Sequence, residues 1–90
     1  KWIIHGFNNY KQLDSLLNSG FYLSFGKSLL NNVNLQNSFI KTPIDRLFLE
    51  TDDTFLDIKK LYTFAAKLKN IETSQLVSEI RKNLKLITNG

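Results

Sequence analysis

The sequence predicts an α/β fold in which short parallel strands alternate with helices, and three observations support this prediction. Short, mostly apolar runs occur at 2–4, 21–25 and 46–49. Each run ends in glycine or polar residues, and the segment after it carries apolar residues at helical spacing. Strands that alternate with helices form right-handed β-α-β units, so we expect the three strands to be parallel.

The first half of the chain contains two of these strands, each followed by a helical segment. After the first strand, Asn8 or Asn9 offers an N-cap for a helix that ends at Gly20. After the second strand, one or two short helices are expected before Pro43, because proline disfavours helical geometry at the residue before it. The apolar face of the first helix comprises Leu13, Leu16 and Leu17.

The second half contains the third strand and two longer helices. Asp53 or Thr54 is a candidate N-cap for the first of them, which is expected to end near Asn70. Thr73 or Ser74 is a candidate N-cap for the last helix. Their apolar stripes are Ile58, Leu61, Tyr62, Ala65 and Leu68 in the first, and Leu76, Val77, Ile80, Leu84 and Ile87 in the second.

Three strands with apolar residues on both faces cannot close on themselves, and a parallel sheet is normally covered on both faces. We therefore expect residues 1–90 to form a single partial domain, an arc of a larger α/β layer such as a TIM (β/α)8 barrel of about 250 residues. Such an arc leaves sheet edges and an apolar face uncovered, and surfaces of this kind drive self-association. The chain is accordingly expected to self-associate or to complete a longer chain.

Composition excludes several classes of site. With 42% hydrophobic and 22% charged residues, the chain is expected to be globular. It contains no cysteine, which excludes disulfides, zinc–thiolate sites and cysteine nucleophiles and suits the cytoplasmic location that we expect. No apolar run approaches the roughly 20 residues that cross a bilayer, so no membrane partner is expected. The net charge of +4 fits either a solvated lysine surface or a polyanionic partner.

Polar side chains lie at the end of each predicted strand. Side chains alternate faces along a strand, so a barrel whose interior holds His5, Ser24, Glu50 and Asp52 brings these four together at its mouth. An imidazole with one or two carboxylates is a partial ligand set for a divalent cation. Such an ion polarises a phosphoryl oxygen and lowers the pKa of bound water to about 7.

Spacing alone leaves a second interpretation open. A single histidine at a strand end is more often a structural hydrogen-bonding residue than a metal ligand. The acidic pair Asp52-Asp53, directly before a helix, is more often an N-cap than a metal site.

Three segments, taken in order, resemble the C-terminal part of the TatD family. They are 3–7 (IIHGF), 20–26 (GFYLSFG) and 42–52 (TPIDRLFLETD). The family's patterns are apolar-apolar-His-x-Phe, then Gly-Phe/Tyr-x-x-Ser, then Pro-x-Asp-Arg followed by Glu-Thr-Asp. The tail 71–84 is similar to the family's closing helix, whose characteristic asparagine corresponds to Asn83. The pattern of the third segment is specific to the family. The patterns of the other segments support the resemblance through their order and spacing.

The resemblance implies a metal-dependent deoxyribonuclease with a TIM-barrel fold, of which this chain supplies the C-terminal portion. His5 then corresponds to a metal ligand, and Asp52 to the catalytic residue that binds metal and helps to activate water. Glu50 is expected to orient neighbouring groups, and Ser24 to support the strand end. The implied cofactors are divalent metal ions (Mg, Mn or Zn), and the implied substrate is DNA, cleaved at its phosphodiester bonds by a metal-activated water.

The resemblance also implies that most of the metal ligands lie elsewhere. The family's His-x-His, a glutamate and another histidine have no counterpart in residues 1–90 and are expected on preceding strands. A site that lacks several ligands cannot hold its ions, so the chain by itself is expected to be inactive.

Two other functions remain open from the sequence. The last two helices have the length and positive charge of a helix-turn-helix-like nucleic-acid-binding module without catalysis, in which Ser74, Gln75 and Ser78 face the bases. Three apolar strands are unexpected in such a module. The third function is that of an α/β interaction domain with no site.

Overall fold

The sheet of the protein is parallel, as the sequence predicts. The computed structural model describes residues 2–51 and 55–89, without the side chains of 55, 56 and 89. Within these residues, three strands lie in the order β1-β2-β3, and each pairs in parallel with its neighbour. The strands are β1 (Ile3–Ile4), β2 (Tyr22–Phe25) and β3 (Leu47–Leu49).

Helices connect the strands in the predicted order. The described residues form four α-helices, which are α1 (Leu13–Asn18), α2 (Val33–Lys41), α3 (Phe55–Lys69) and α4 (Thr73–Asn89). Short 3-10 segments span Tyr10–Gln12, Lys27–Leu30 and Ile44–Arg46. Because α1 and α2 each link two parallel strands and α3 and α4 follow β3, the predicted α/β class is confirmed. The complete barrel and the partial domain 1–90 stay predictions.

Several details at the ends of elements differ from the predictions. Trp2 lies outside β1 and is 74% exposed, because β1 is an edge strand of the described sheet and pairs there with β2 alone. Phe21 and Arg46 also lie outside the strands that they were expected to begin. Asn9 makes no capping bond through its side chain. Instead, its carbonyl accepts a hydrogen bond from the Gln12 N–H at 3.0 Å, which closes the turn through the main chain.

Two helix ends follow the predicted chemistry, whereas the predicted N-caps Thr73 and Ser74 both lie inside α4, which begins at Thr73. Gly20, after α1, and Asn70, after α3, have φ angles of 90° and 57°, a left-handed conformation that ends helices. The side chain of Asn32 caps α2 by accepting a hydrogen bond from the Leu35 N–H at 3.1 Å. The predicted caps Asp53 and Thr54 lie outside the described residues.

One face of the sheet forms the floor of the hydrophobic core. Leu23, Phe25 and Leu47 lie on this face and are completely buried. The ring of Phe25 packs edge-to-face on Phe39 of α2, with 5.1 Å between centroids, and against Phe7 at 5.3 Å. Burying each such side chain contributes about 1.5–3 kcal/mol, so this face anchors the helices to the sheet.

The other face leads to the polar strand ends. Tyr22, Ser24 and Phe48 lie on it, and all three are buried. Ser24 pairs in register with Phe48, and Tyr22 pairs with Ile3. Since side chains alternate along each strand, His5 and Glu50 continue this same face beyond the ends of β1 and β3.

The side chain of Arg46 ties the start of β3 to the segment before β2. Its Nε donates to the Phe21 carbonyl at 3.0 Å, and its guanidinium also donates to the Leu17 carbonyl at 3.1 Å. The guanidinium carbon lies 5.5 Å from the centroid of the Tyr22 ring, within cation–π range. These contacts hold β2 and β3 in register at the end of the sheet opposite His5.

Asn83 ties the last helix to β3. Its side chain is 2% exposed, and its amide nitrogen donates to the carbonyls of Ile44 and Leu47 at 3.0 and 2.9 Å. A buried amide that satisfies two main-chain carbonyls fixes both the height and the rotation of α4 against the strand. The asparagine that marked the resemblance therefore has a structural role here.

Large apolar side chains are also exposed. They include Trp2, Val33 and Ile40, and Leu84 and Leu86 on α4 are about half exposed. β1 and β3 each pair with a strand on one side only within the described sheet. Unpaired edges and exposed apolar groups favour association between chains. Self-association of this protein stays a prediction.

Candidate functional site

Two of the predicted site residues form a hydrogen-bonded pair. His5 follows β1 and Glu50 follows β3, and the imidazole Nδ1 lies 3.1 Å from the carboxylate Oε2. Main-chain bonds hold both positions, since the Phe7 N–H donates to the Ser24 carbonyl and the Glu50 N–H donates to the Phe25 carbonyl, both at 2.9 Å. The sheet ladder thus continues past the strand ends and fixes the two side chains across β2.

The carboxylate of Glu50 is held from several directions. The Gly6 N–H donates to its Oε1, and the Ser24 hydroxyl is a further hydrogen-bonding partner. Burial raises the pKa of Glu50, but the bonds from Gly6, His5 and Ser24 outweigh that effect and hold the pKa below its ordinary value. Glu50 is therefore an ionised acceptor at neutral pH.

The pair is open to solvent. The side chain of His5 is 72% exposed and that of Glu50 is 37% exposed. No residue in the described part of the chain hydrogen-bonds to the imidazole Nε2. The pair therefore presents one ring nitrogen outward while the carboxylate holds the other.

The structure brings together three of the four predicted site residues. His5, Glu50 and Ser24 meet at the carboxyl edge of the sheet, whereas Asp52 lies outside the described residues. In 2–51 and 55–89, no three side chains of the His, Cys, Asp and Glu types come close enough together to hold a metal ion. The assigned roles of these residues stay predictions.

The donor set at this edge suits a histidine that ligates through Nε2. Metal-binding histidines commonly donate their other ring N–H to a carboxylate, which fixes the orientation of the ring. Here the Nδ1 of His5 faces Glu50 at 3.1 Å, in that arrangement. The residues present therefore fit one ligand of a divalent-metal site together with its supporting carboxylate.

Gly6 is the participant that the sequence did not single out. Its φ of 57° turns the main chain so that the N–H after His5 points at the Glu50 carboxylate. Residues that carry a Cβ rarely adopt this left-handed conformation, whereas glycine adopts it readily. The signal in the sequence was a glycine directly after the histidine, but a donor to residue 50 could not be read from it.

The residues of the predicted helix-turn-helix surface are exposed. Ser74, Gln75 and Ser78 lie on the outside of α4, while Leu76 on the same helix is completely buried. Leu61 of α3 is buried in the same core as the sheet. The two helices thus cover the sheet, and base recognition by α4 stays a prediction.

Comparison with known proteins gives a partial match. No family model matches the chain. One curated relative, from Enterocytozoon bieneusi (strain H348), is named "Putative deoxyribonuclease TATDN1 homolog". It is 36% identical over 92 aligned positions, which take in 92% of this chain and 32% of that protein. The chain therefore spans about a third of the length of this relative.

The lengths and hydropathies of the helices bear on whether one of them could span a membrane. In the described residues, none is both long enough and apolar enough to cross a bilayer.

Proposed function

We propose that this chain is part of a TatD-type hydrolase that cleaves DNA phosphodiester bonds with the help of divalent metal ions. The observation that carries the proposal is the pair of His5 and Glu50 at the carboxyl edge of a parallel sheet. It is supported by the 36% identity to a protein named as a deoxyribonuclease homologue. In this proposal, residues 1–90 are the C-terminal portion of a barrel that a longer polypeptide or another copy completes.

Each residue at the sheet edge has a separate task in the proposal. His5 binds the metal through Nε2, and Glu50 holds Nδ1 so that the ring keeps its orientation. Ser24 and the Gly6 N–H hold the carboxylate in turn. Such support matters because a ligand that can rotate loses affinity for its ion, typically about 10–100-fold.

Asp52 is proposed as the second metal ligand and as the catalytic residue that takes a proton from the attacking water. It follows Glu50 by two positions, so a continued strand would direct both carboxylates to the same face. The bound Mg²⁺, Mn²⁺ or Zn²⁺ would polarise a phosphoryl oxygen and lower the pKa of the water to about 7.

The test is hydrolysis of DNA by the complete barrel that carries this segment. We expect activity that requires a divalent cation, that falls by at least about 100-fold in His5→Ala and Asp52→Ala, and that falls by about 10–100-fold in Glu50→Gln. Glu79→Gln is the matched control, because it removes an acidic group that pairs with Lys82 on α4. Activity in the control is expected to be unchanged.

Two results would contradict the proposal. One is DNA hydrolysis that persists in a chelator and in His5→Ala. The other is metal-dependent hydrolysis by residues 1–90 alone as monomers, since the proposal leaves this segment without a complete ligand set.

A further inference from the structure

The outer surface of α3 carries a shallow groove lined mainly by cationic side chains. It has a volume of about 390 Å³ and is lined by Lys59, Lys60, Thr63, Phe64 and Lys67. We call it the lysine groove. The three lysines are exposed, and Thr63 and Phe64 are half-buried. Among the described residues, none of its lining side chains is acidic.

The position of α3 keeps this groove on the outside of the molecule. The opposite side of the helix carries Leu61, Ala65 and Ala66, which are buried in the core. α2 and α4 both pack on α3. Further strands added at the edges of the sheet would therefore not cover the lysine groove.

The positive surface extends beyond the groove on one side. Lys59 also borders a wider apolar groove between α3 and α4, and the rim of that groove carries Arg81. At the other end, Lys67 borders a second small groove with Asn70 and Gln75, where Glu72 is the acidic neighbour. Arg81 and Lys59 thus line one groove, and Lys59 also lines the lysine groove.

The dimensions of the lysine groove suit a phosphate chain. Lys59 and Lys67 are eight positions apart on a helix, about 12 Å at 1.5 Å per residue. Phosphates along one nucleic-acid strand are spaced at about 3.4 Å or more, so this length meets about two to four of them. Phe64 packs partly against the core, and it also lines this groove, where it offers an aromatic surface on which a base can stack.

We propose that the lysine groove binds a single-stranded polynucleotide, with the lysines on its phosphates and a base against Phe64. This binding requires no metal ion and uses a surface separate from His5 and Glu50. It also differs from base reading by Ser74, Gln75 and Ser78, which lie on α4. It does not depend on the proposed hydrolase function.

The experiment measures binding of a fluorescent oligothymidylate to the 90-residue chain by anisotropy, in the presence of a chelator. The triple variant Lys59→Gln, Lys60→Gln, Lys67→Gln is compared with Lys11→Gln, Lys41→Gln, Lys85→Gln, whose three lysines are exposed elsewhere. Both variants reduce the net charge equally, from +4 to +1, because each removes three positive charges. We expect at least about 10-fold weaker binding in the first variant and less than about 2-fold in the second.

The salt dependence gives an independent readout. For single strands, log K falls with log salt at a slope of about −0.7 per phosphate contacted, so losing three lysines should flatten the slope by about 2. Phe64→Leu keeps an apolar side chain at this position but removes the ring. We expect it to weaken binding about 5-fold or more without changing the salt slope, because stacking releases no counterions.

Several outcomes would overturn the inference. Equal losses in the two triple variants would mean that only net charge matters. A loss in Ser74→Ala, Gln75→Ala, Ser78→Ala, or duplex DNA binding as tightly as the single strand, would assign binding to α4. Polyglutamate competing as well as the oligonucleotide would show that the groove accepts any polyanion. Because hydrolysis is not measured, failure here is distinguishable from failure of the proposed hydrolase.

Discussion

The imidazole of His5 and the carboxylate of Glu50 meet across a strand to which neither belongs. His5 follows β1 and Glu50 follows β3, with β2 between them, yet Nδ1 and Oε2 are 3.1 Å apart. An ionised carboxylate has no hydrogen to donate, so the neutral imidazole must carry its hydrogen on Nδ1. The ring nitrogen that faces outward, Nε2, is then the one with a free lone pair.

The tautomer of His5 should therefore depend on Glu50. The chain contains a single histidine, so long-range ¹H–¹⁵N spectra of the metal-free protein report on this ring alone. In alkaline solution, where the imidazole is neutral, we expect protonated Nδ1 and unprotonated Nε2. Glu50→Ala should convert this to a mixture of tautomers, while Glu79→Ala, which removes a partner of Lys82, should not. A hydrogen on Nε2 in the unaltered protein would contradict the assignment.

Glu50 should also contribute to the pH dependence of stability. Its pKa is lower in the folded protein than in the unfolded chain, whose value is about 4.3, so between the two values the unfolded chain binds more protons. Stability from Glu50 is thus present above that unfolded value and is lost as the pH falls through the folded pKa. Urea unfolding from about pH 6 to about pH 3 should show the difference between Glu50→Gln and the unaltered protein shrinking. A constant difference would count against this linkage, and Glu79→Gln is the control.

Gly6→Ala should destabilise the protein through the main chain. A φ of 57° costs a residue with a Cβ about 1–2 kcal/mol, although the added Cβ itself lies 3.9 Å from the Glu50 Oε1, an ordinary contact. Gly26→Ala is the matched control, because Gly26 has a φ of −112° and its Cβ would lie 3.5 Å from the Glu50 carbonyl. Chemical denaturation should show a larger loss for Gly6→Ala. Equal losses would mean that the conformation of Gly6 is not the cause.

Asn83→Asp should be more damaging than its change in shape suggests. The side chains have nearly the same volume, but a carboxylate cannot donate to the carbonyls of Ile44 and Leu47. Leaving a buried carbonyl unpaired costs about 1–3 kcal/mol, and a buried charge adds to this. Thermal unfolding should show a marked loss for Asn83→Asp and little change for the exposed Asn34→Asp. Similar melting temperatures for the two variants would contradict the stabilising role of the hydrogen bonds that Asn83 donates to Ile44 and Leu47.

The order of the elements was predictable from short-range patterns. Apolar runs and helical spacing predict all three strands and their connecting helices, since both signals come from residues a few positions apart. The starts of strands were less predictable. Arg46 belongs to a 3-10 segment rather than to β3, because its side chain reaches the carbonyls of Phe21 and Leu17, which are distant in sequence.

The candidate site also combines features that local sequence predicts with features that depend on distant contacts. Alternation predicts that His5 shares a face with Ile3, Ser24 with Tyr22, and Glu50 with Phe48, because that property is local to each strand. It does not predict the bond between Nδ1 of His5 and Glu50, or the Gly6 N–H as a further donor. Those contacts depend on the register of three strands and on one left-handed main-chain angle.

By itself, the sequence determined the α/β class, the parallel strands and the identity of the polar residues at their ends. Only the tertiary structure decided that His5 and Glu50 touch across β2, that Asn83 fastens α4 to β3, and that Lys59, Lys60 and Lys67 line one groove. The reason is physical. Periodicity records which way a side chain faces, whereas a contact between residues 45 positions apart exists only once strands and helices have packed together.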